Sequence, residues 1–563
     1  MKKIFLCIFI IFIVFPFCFA LEEISGNIVD VLNKEIYSAT LIIDNGKIID
    51  IRKDNNSYNT YILPGLIDSH IHIESSLLTP SEFARLAVIH GTVAAVSDPH
   101  EIANVLGIPG INYMIDSGNK VPFKFYFGAS SCVPATEFET SGARIDSVGI
   151  EELLKRDEII YLSEMMNYPG VINNDPEVLN KIAVAKKYSK PIDGHAPKLR
   201  GKDLERYVKA GISTDHETIS LDEGLEKISL GMKVIIREGS AAKNFDALHT
   251  LIDQYPDMCM FCSDDKHPDD LVKGHINELV VRALKKGYDK WKILQVACVN
   301  PVKHYGLGVG LLQKNDPADF IIIDNFDNFN ILKTYINGIL VSENGRTLIE
   351  HINAESVNNF NIRERFISDF EIKRRGKKIN IINAIDGQLI THRTKDLVKT
   401  TKGFVVSDRD RDILKIAVIN RYNEAPVSVA FIKNFGLKQG AIASNFAHDS
   451  HNIVAVGVSD KDIADAVNVV IENRGGLSQA NSGYIDALEL PIAGLMSSDD
   501  GFIVAEKYSK LSQTAKDWGS QLRAPYMTLS FMALLVIPDI KLSDKGLFDA
   551  KEFKLIDLFD IKS

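Results

Sequence analysis

Between residues 63 and 323 short apolar runs recur, each followed by a polar turn and then an amphipathic stretch. This alternation restricts the possible folds more than any other feature of the chain. The strand-like runs fall at 61–67, 92–96, 123–127, 159–162, 191–193, 211–214, 233–236 and 258–261, with helical patterns between them, for example at 175–188 and 201–209. Eight strands alternating with helices over about 250 residues are what a (β/α)8 barrel requires, so the expected class is α/β with a TIM-type barrel over 61–317.

The flanks read differently. Before the barrel, 28–31, 39–43 and 47–51 are strand-like, with a hairpin signal at Asn45-Gly46. After it, 318–323 and 334–341 look similar, with a second turn at Asn337-Gly338. Segments 21–60 and 318–360 are therefore expected to make one small flanking β-sheet domain. A charged linker is expected at 361–378, including Lys373-Arg374-Arg375, and a C-terminal α+β domain at 379–563, with strands at 427–432 and 453–458. At the other end, Lys2 and Lys3 precede an apolar run that closes on Ala20. Residues 1–20 thus read as a secretory signal peptide, with an uncleaved membrane anchor as the alternative, and the expected location is exported, periplasmic or secreted, with a cytoplasmic location as the alternative. Four cysteines remain beyond that segment, too few for a disulfide scaffold, and Cys259 and Cys262 sit in an apolar run as core residues. A formal charge of −10 speaks against a nucleic-acid partner, which needs clustered Lys and Arg, and for a small-molecule substrate.

Chemistry concentrates at the carboxyl ends of the expected strands. His70-Ile71-His72 closes the first, and strand alternation points both imidazoles one way, with Glu74 in the same parity. Glu164 follows the fourth strand, His195 the fifth, His216 the sixth, and Asp264 with Asp265 the eighth. In a TIM-type barrel those ends share one rim, so side chains remote in sequence converge there. Four histidines and two carboxylates can hold two divalent ions, with Glu164 bridging, and such donors suit Zn, Fe or Mn.

With these residues in view the chain resembles the adenine deaminases of the amidohydrolase superfamily. The resemblance is carried by the stretches from Pro64 to Ser76, Ser97 to Val105, Ser131 to Thr136, Arg237 to Ser240 and Asp264 to Leu271. Beyond the barrel it extends to Ala447–Asn452 and Leu490–Met496. It implies metal ligands at His70, His72, Glu164, His195, His216 and Asp264, and manganese or ferrous iron as the metal, with zinc as a further option. It also implies a homo-oligomer, expected as a dimer, and adenine as the substrate. The implied reaction is hydrolysis of adenine to hypoxanthine and ammonia, with a metal-activated hydroxide attacking C6. Asp264 would move the proton of that hydroxide to the departing ammonia, and Glu101, with Glu74 second, would protonate N1. The histidines and acid at His448, Asp449 and His451 read as structural or as a domain contact. Two alternatives are a different amidohydrolase reaction on another purine or a cyclic amide, and an exported purine-binding protein without catalysis. The second would have lost ligands, and all six are present.

Overall fold

The computed structural model describes residues 21–560; the leader-like segment 1–20 lies outside the described residues. Strands β1 (Glu22–Asp30), β2 (Glu35–Asp44) and β3 (Lys47–Lys53) form an antiparallel meander. The turn between the last two is Asn45-Gly46, both at positive φ, as a tight hairpin requires. Strand β4 (Tyr61–Pro64) then pairs in parallel with β1. The barrel strands follow as β5 (Leu66–Ile71), β6 (Thr92–Ser97), β7 (Lys124–Ala129), β8 (Ile159–Met165), β9 (Ile192–Gly194), β10 (Thr214–Asp215), β11 (Lys233–Arg237) and β12 (Cys259–Cys262). After them β13 (Phe320–Ile323), β14 (Ile331–Ile336), β15 (Ile339–Glu343) and β16 (Arg346–Thr347) return to the first sheet, whose order is β16-β15-β14-β13-β4-β1-β2-β3. The flanking sheet is thus built from both sides of the barrel, as the sequence suggests.

One strand differs from expectation. The apolar run at 61–67 is two strands, β4 in the flanking sheet and β5 in the barrel, broken at Gly65. A Cβ on Gly65 would lie 2.3 Å from Val93 Cγ1, so only glycine lets the chain pass β6 this closely as it leaves one sheet for the other.

Strands β5 to β9 form one parallel sheet and β10 to β12 another. Beside β9, Ser213 N donates to Ile192 O at 2.9 Å. Past β12, Asp264 N donates to His70 O at 3.0 Å and His72 N to Asp264 O at 3.2 Å, which closes the ring against β5. All eight strands run parallel, so their carboxyl ends meet at one rim. Helices cover the outside. Pro176–Lys187 starts under an Asp175 cap that accepts from Glu177 N at 2.9 Å and Val178 N at 3.2 Å, and Gly201–Lys209 lies where its pattern places it.

The C-terminal part folds around a second eight-stranded sheet with the helix Asp460–Glu472 against it. Its strands Ser428–Lys433 and Ile453–Gly457 match the expected runs. Helix Gly501–Asp517 packs on the barrel helix Pro80–Ala87, where Arg85 meets Asp500 at 2.6 Å and Glu82 accepts from Gly501 N at 2.9 Å. The charged stretch 361–378 is not uniformly solvated, since Phe370 within it is buried. Among the described residues no helix is long and apolar enough to cross a membrane.

Candidate active site at the barrel rim

The rim is built from backbone hydrogen bonds outward. Buried Asp68 on β5 accepts from Ser263 N at 3.0 Å, from the Ser263 hydroxyl, and from His275 Nε2 at 2.8 Å, which latches β5 to the end of β12. The latch sets His70 and His72 beside Asp264, a non-glycine residue held at φ 55°. Such a backbone persists only where its surroundings fix it, and here Asp264 is pinned on both sides by the β5 hydrogen bonds.

His70, His72, Glu164, His195, His216 and Asp264 come together, and all six are buried. His70 Nε2 and His72 Nε2 face each other at 3.3 Å. Asp264 Oδ1 lies 3.4 Å from His72 Nε2, 3.7 Å from His70 Nε2 and 4.0 Å from His216 Nε2. Glu164 lies between: its Oε1 is 3.4 Å from His72 Nε2, and its Oε2 is 2.6 Å from His195 Nδ1 and 3.1 Å from His216 Nε2. Groups such as His70, His216 and Asp264, or Glu164, His195 and His216, bring their donor atoms close enough to share one cation. Buried imidazole nitrogens that face one another and two carboxylates at 2.6 to 4.0 Å, with His70 Nε2 and His72 Nε2 only 3.3 Å apart, form the kind of donor set that a cation holds together. The residues therefore fit divalent metal, with only nitrogen and oxygen donors.

Charge is arranged to keep the carboxylates ionised. Burial pushes Asp264 upward, but Arg237 at 2.6 Å from its Oδ2, together with His72 and His216, outweighs that and holds it well below the usual carboxylate range. Arg237 also forks onto Glu217. Glu164 is raised by burial too, and His195 and His216 more than reverse it.

The expected acid residues separate. Glu101, at the start of helix His100–Leu106, lines the cavity, whereas Glu74 does not. Glu74 turns its Oε1 to Ile102 N at 3.1 Å, and burial raises its carboxyl to about 7.

Several residues join the site beyond the six expected ligands, among them His100, which the sequence places at the pocket or its rim. His100 Nδ1 is 3.3 Å from Glu164 Oε1 and 3.1 Å from Asp98 Oδ2, so that Asp98 and His100 join His72 and Glu164 in a further close group. Arg237 ends β11 and Glu217 lies just past β10, so both could have been found by extending the rule of strand ends to every strand. Leu389, His448, Asp449, Phe531 and Leu534 also line the cavity, and all five come from the C-terminal part. Nothing in the local sequence marks Leu389, Phe531 and Leu534 as facing the barrel. His448 and His451, read as structural or as a domain contact, both point at Glu101.

Comparison with known proteins agrees with this arrangement. Residues 61–341 match the amidohydrolase family, and residues 388–554 match the adenine deaminase C-terminal domain. An adenine deaminase of Sulfurovum sp. is 55% identical over 95% of this chain and 99% of its own length. Those of Salinibacter ruber and Methanosarcina barkeri are 52% and 50% identical, over 95% and 96% of this chain and 99% and 100% of their own. One expectation is overturned here. The relatives are adenine deaminases, typically cytoplasmic enzymes, and the match takes in nearly all of their length, which does not agree with an exported protein.

Proposed function

The chain belongs to the adenine deaminase family, and from that premise we propose that its rim hydrolyses adenine to hypoxanthine and ammonia on two divalent ions, manganese first, with iron or zinc as substitutes. The observation that carries this is the convergence of six buried nitrogen and oxygen donors from the ends of five barrel strands, with five of the six donors lining one cavity. We assign His70, His72, Glu164, His195, His216 and Asp264 as the residues that would hold the metal, with Glu164 between the two positions.

When bound, the metal makes water a competent nucleophile near neutral pH and steadies developing negative charge. The remaining work falls to side chains. As the water oxygen bonds to C6, Asp264 takes one proton, and its ionised state, secured by Arg237, suits it to do so. Glu101 transfers a proton to N1, which relieves the ring as aromaticity is lost, and recovers one from the C6 hydroxyl as the carbonyl forms. Asp264 then passes its proton to N6 as the C6–N6 bond breaks. One water proton thus ends on N1 of hypoxanthine and the other on ammonia. Met166 and the C-terminal residues Leu389, Phe531 and Leu534 supply apolar wall for the purine faces.

We read 66–317 as the catalytic barrel, 21–64 with 318–360 as its flanking sheet and 379–563 as the C-terminal domain, in a dimer that light scattering would report. The decisive experiment mixes manganese-loaded protein with adenine and follows ammonia alongside elemental analysis. Turnover with about two ions per chain is expected; adenine left intact by fully loaded protein would sink the reading.

A further inference from the structure

Glu101 sits on the barrel, yet its carboxylate is gripped from the other part of the molecule. His448 Nδ1 meets Oε1 and His451 Nε2 meets Oε2, so each oxygen has its own imidazole, and all three residues are buried. On the barrel side His100 Nε2 approaches Oε1 at 3.5 Å. The two imidazoles are themselves fixed. Phe531 stacks flat on His448, with ring centroids 4.5 Å apart and planes within 6°, and Phe446 meets His448 and His451 at 5.0 and 5.3 Å. Phe531 is fixed in turn by its carbonyl, which accepts from buried Lys541 Nζ at 2.9 Å. A ring held on its face by an aromatic has little freedom to rotate away from the oxygen it faces.

We propose that His448 and His451 are positioning residues for deamination, clamping Glu101 through both oxygens so that the C-terminal domain, rather than the barrel, sets how this carboxylate meets the purine. The idea rests on the reading of Glu101 as the group that handles the N1 proton. A carboxylate free to rotate would spend most of its time turned away from N1; a two-point grip removes that freedom before substrate arrives. The charges agree. Burial lowers His448, but Glu101 and Asp265 carry it to about 9, so the proton that Glu101 hands to N1 is held between carboxylate and imidazole. The clamp also gives a reason for the C-terminal domain to reach into the cavity.

The test is a set of variants in the manganese-loaded full chain, read as kcat and KM for adenine with metal content. His448→Ala and His451→Ala are each expected to lower kcat about 10- to 100-fold with metal content unchanged, the range seen when a partner that orients a working group is removed. His448→Asn and His451→Gln place an amide nitrogen near the lost Nδ1 and Nε2, so each is expected to keep more kcat than its alanine counterpart. They also serve if an alanine variant fails to fold. Both alanine changes are then combined with Glu101→Gln. If the imidazoles act through Glu101, the combined loss should not exceed that of Glu101→Gln alone. Losses that multiply in the double variants, or alanine variants with full kcat, would overturn the clamp while leaving Glu101 in place. If Glu101→Gln alone keeps full turnover, the acid assignment falls and the clamp falls with it.

Discussion

At the scale of single residues the molecule buries many charges, and those around the rim are answered locally. Arg237 covers both Glu217 and Asp264, Lys227 covers Asp215 and Glu223 behind the His195 and His216 loops, and His275 faces Asp68 under the first strand. Buried ions without such partners would cost several kcal/mol apiece. Lys541 departs from this rule. It is fully buried, its ammonium faces the carbonyls of Leu389 and Phe531, and burial lowers it to about 7. The sign of the consequence follows from linkage. An unfolded lysine holds its proton up to about pH 10.4, whereas the folded one releases it near pH 7, so between these values the unfolded chain binds more protons. Above that window Lys541 is neutral in both states and costs nothing; as pH falls through it, the cost of burying charge grows until it is complete below about pH 7. Stability relative to Lys541→Met should therefore rise from pH 7 to pH 9 at a slope of up to about 1.4 kcal/mol per pH unit. Urea midpoints of the two proteins at both pH values measure this, and curves that stay parallel would contradict it.

At the scale of elements the junction of flanking sheet and barrel turns on one atom's width. Gly65 separates β4 from β5, and any side chain there meets Val93 Cγ1 at 2.3 Å and Cγ2 at 2.4 Å. Gly65→Ala should cost about 1–3 kcal/mol by overpacking, and Val93→Ala, which clears the space, should return much of it. A double-mutant cycle on melting temperature checks this; additive losses would place the strain elsewhere. The same junction shows what the sequence could reveal. Apolar periodicity located all eight barrel strands and the return of 318–341 to the first sheet, because burial forces that pattern. It could not see that 61–67 changes sheets, since both halves are equally apolar and only the close approach to β6 demands glycine. Strand ends ran short for a related reason. β8 continues through Glu164 to Met165 and β11 through Arg237, because at a catalytic rim the final residues are polar and the apolar signal stops before the strand does. The six rim donors were legible because each lies just past an apolar run. His448 and Asp449 were legible only as structural or as a domain contact, and Phe531 not at all, because a contact between distant segments leaves little local trace.

At the scale of the whole molecule, barrel and C-terminal domain share a core as well as a cavity. One continuous apolar cluster takes in Leu78 and Phe83 beside the barrel together with Leu495, Met496 and Val504 from the other part, and Ser497 N donates to Leu77 O at 2.8 Å across the boundary. Domains with separate cores unfold separately; domains that expose each other's core on parting do not. Calorimetry of the metal-loaded protein should therefore give one transition. Chelation tests the same coupling from the active site. The assigned ligands all belong to the barrel, yet the cavity they face is closed by C-terminal residues, so an ion bound there stabilises both parts at once. Ion present at about 1,000 times its Kd contributes about 4 kcal/mol to the folded state, which stripping removes. The expected outcome is a single transition that moves to lower temperature as a unit when a strong chelator is added. A trace that splits into two, with only the first component responding to metal, would show that the barrel melts on its own and that the shared core does not couple the domains.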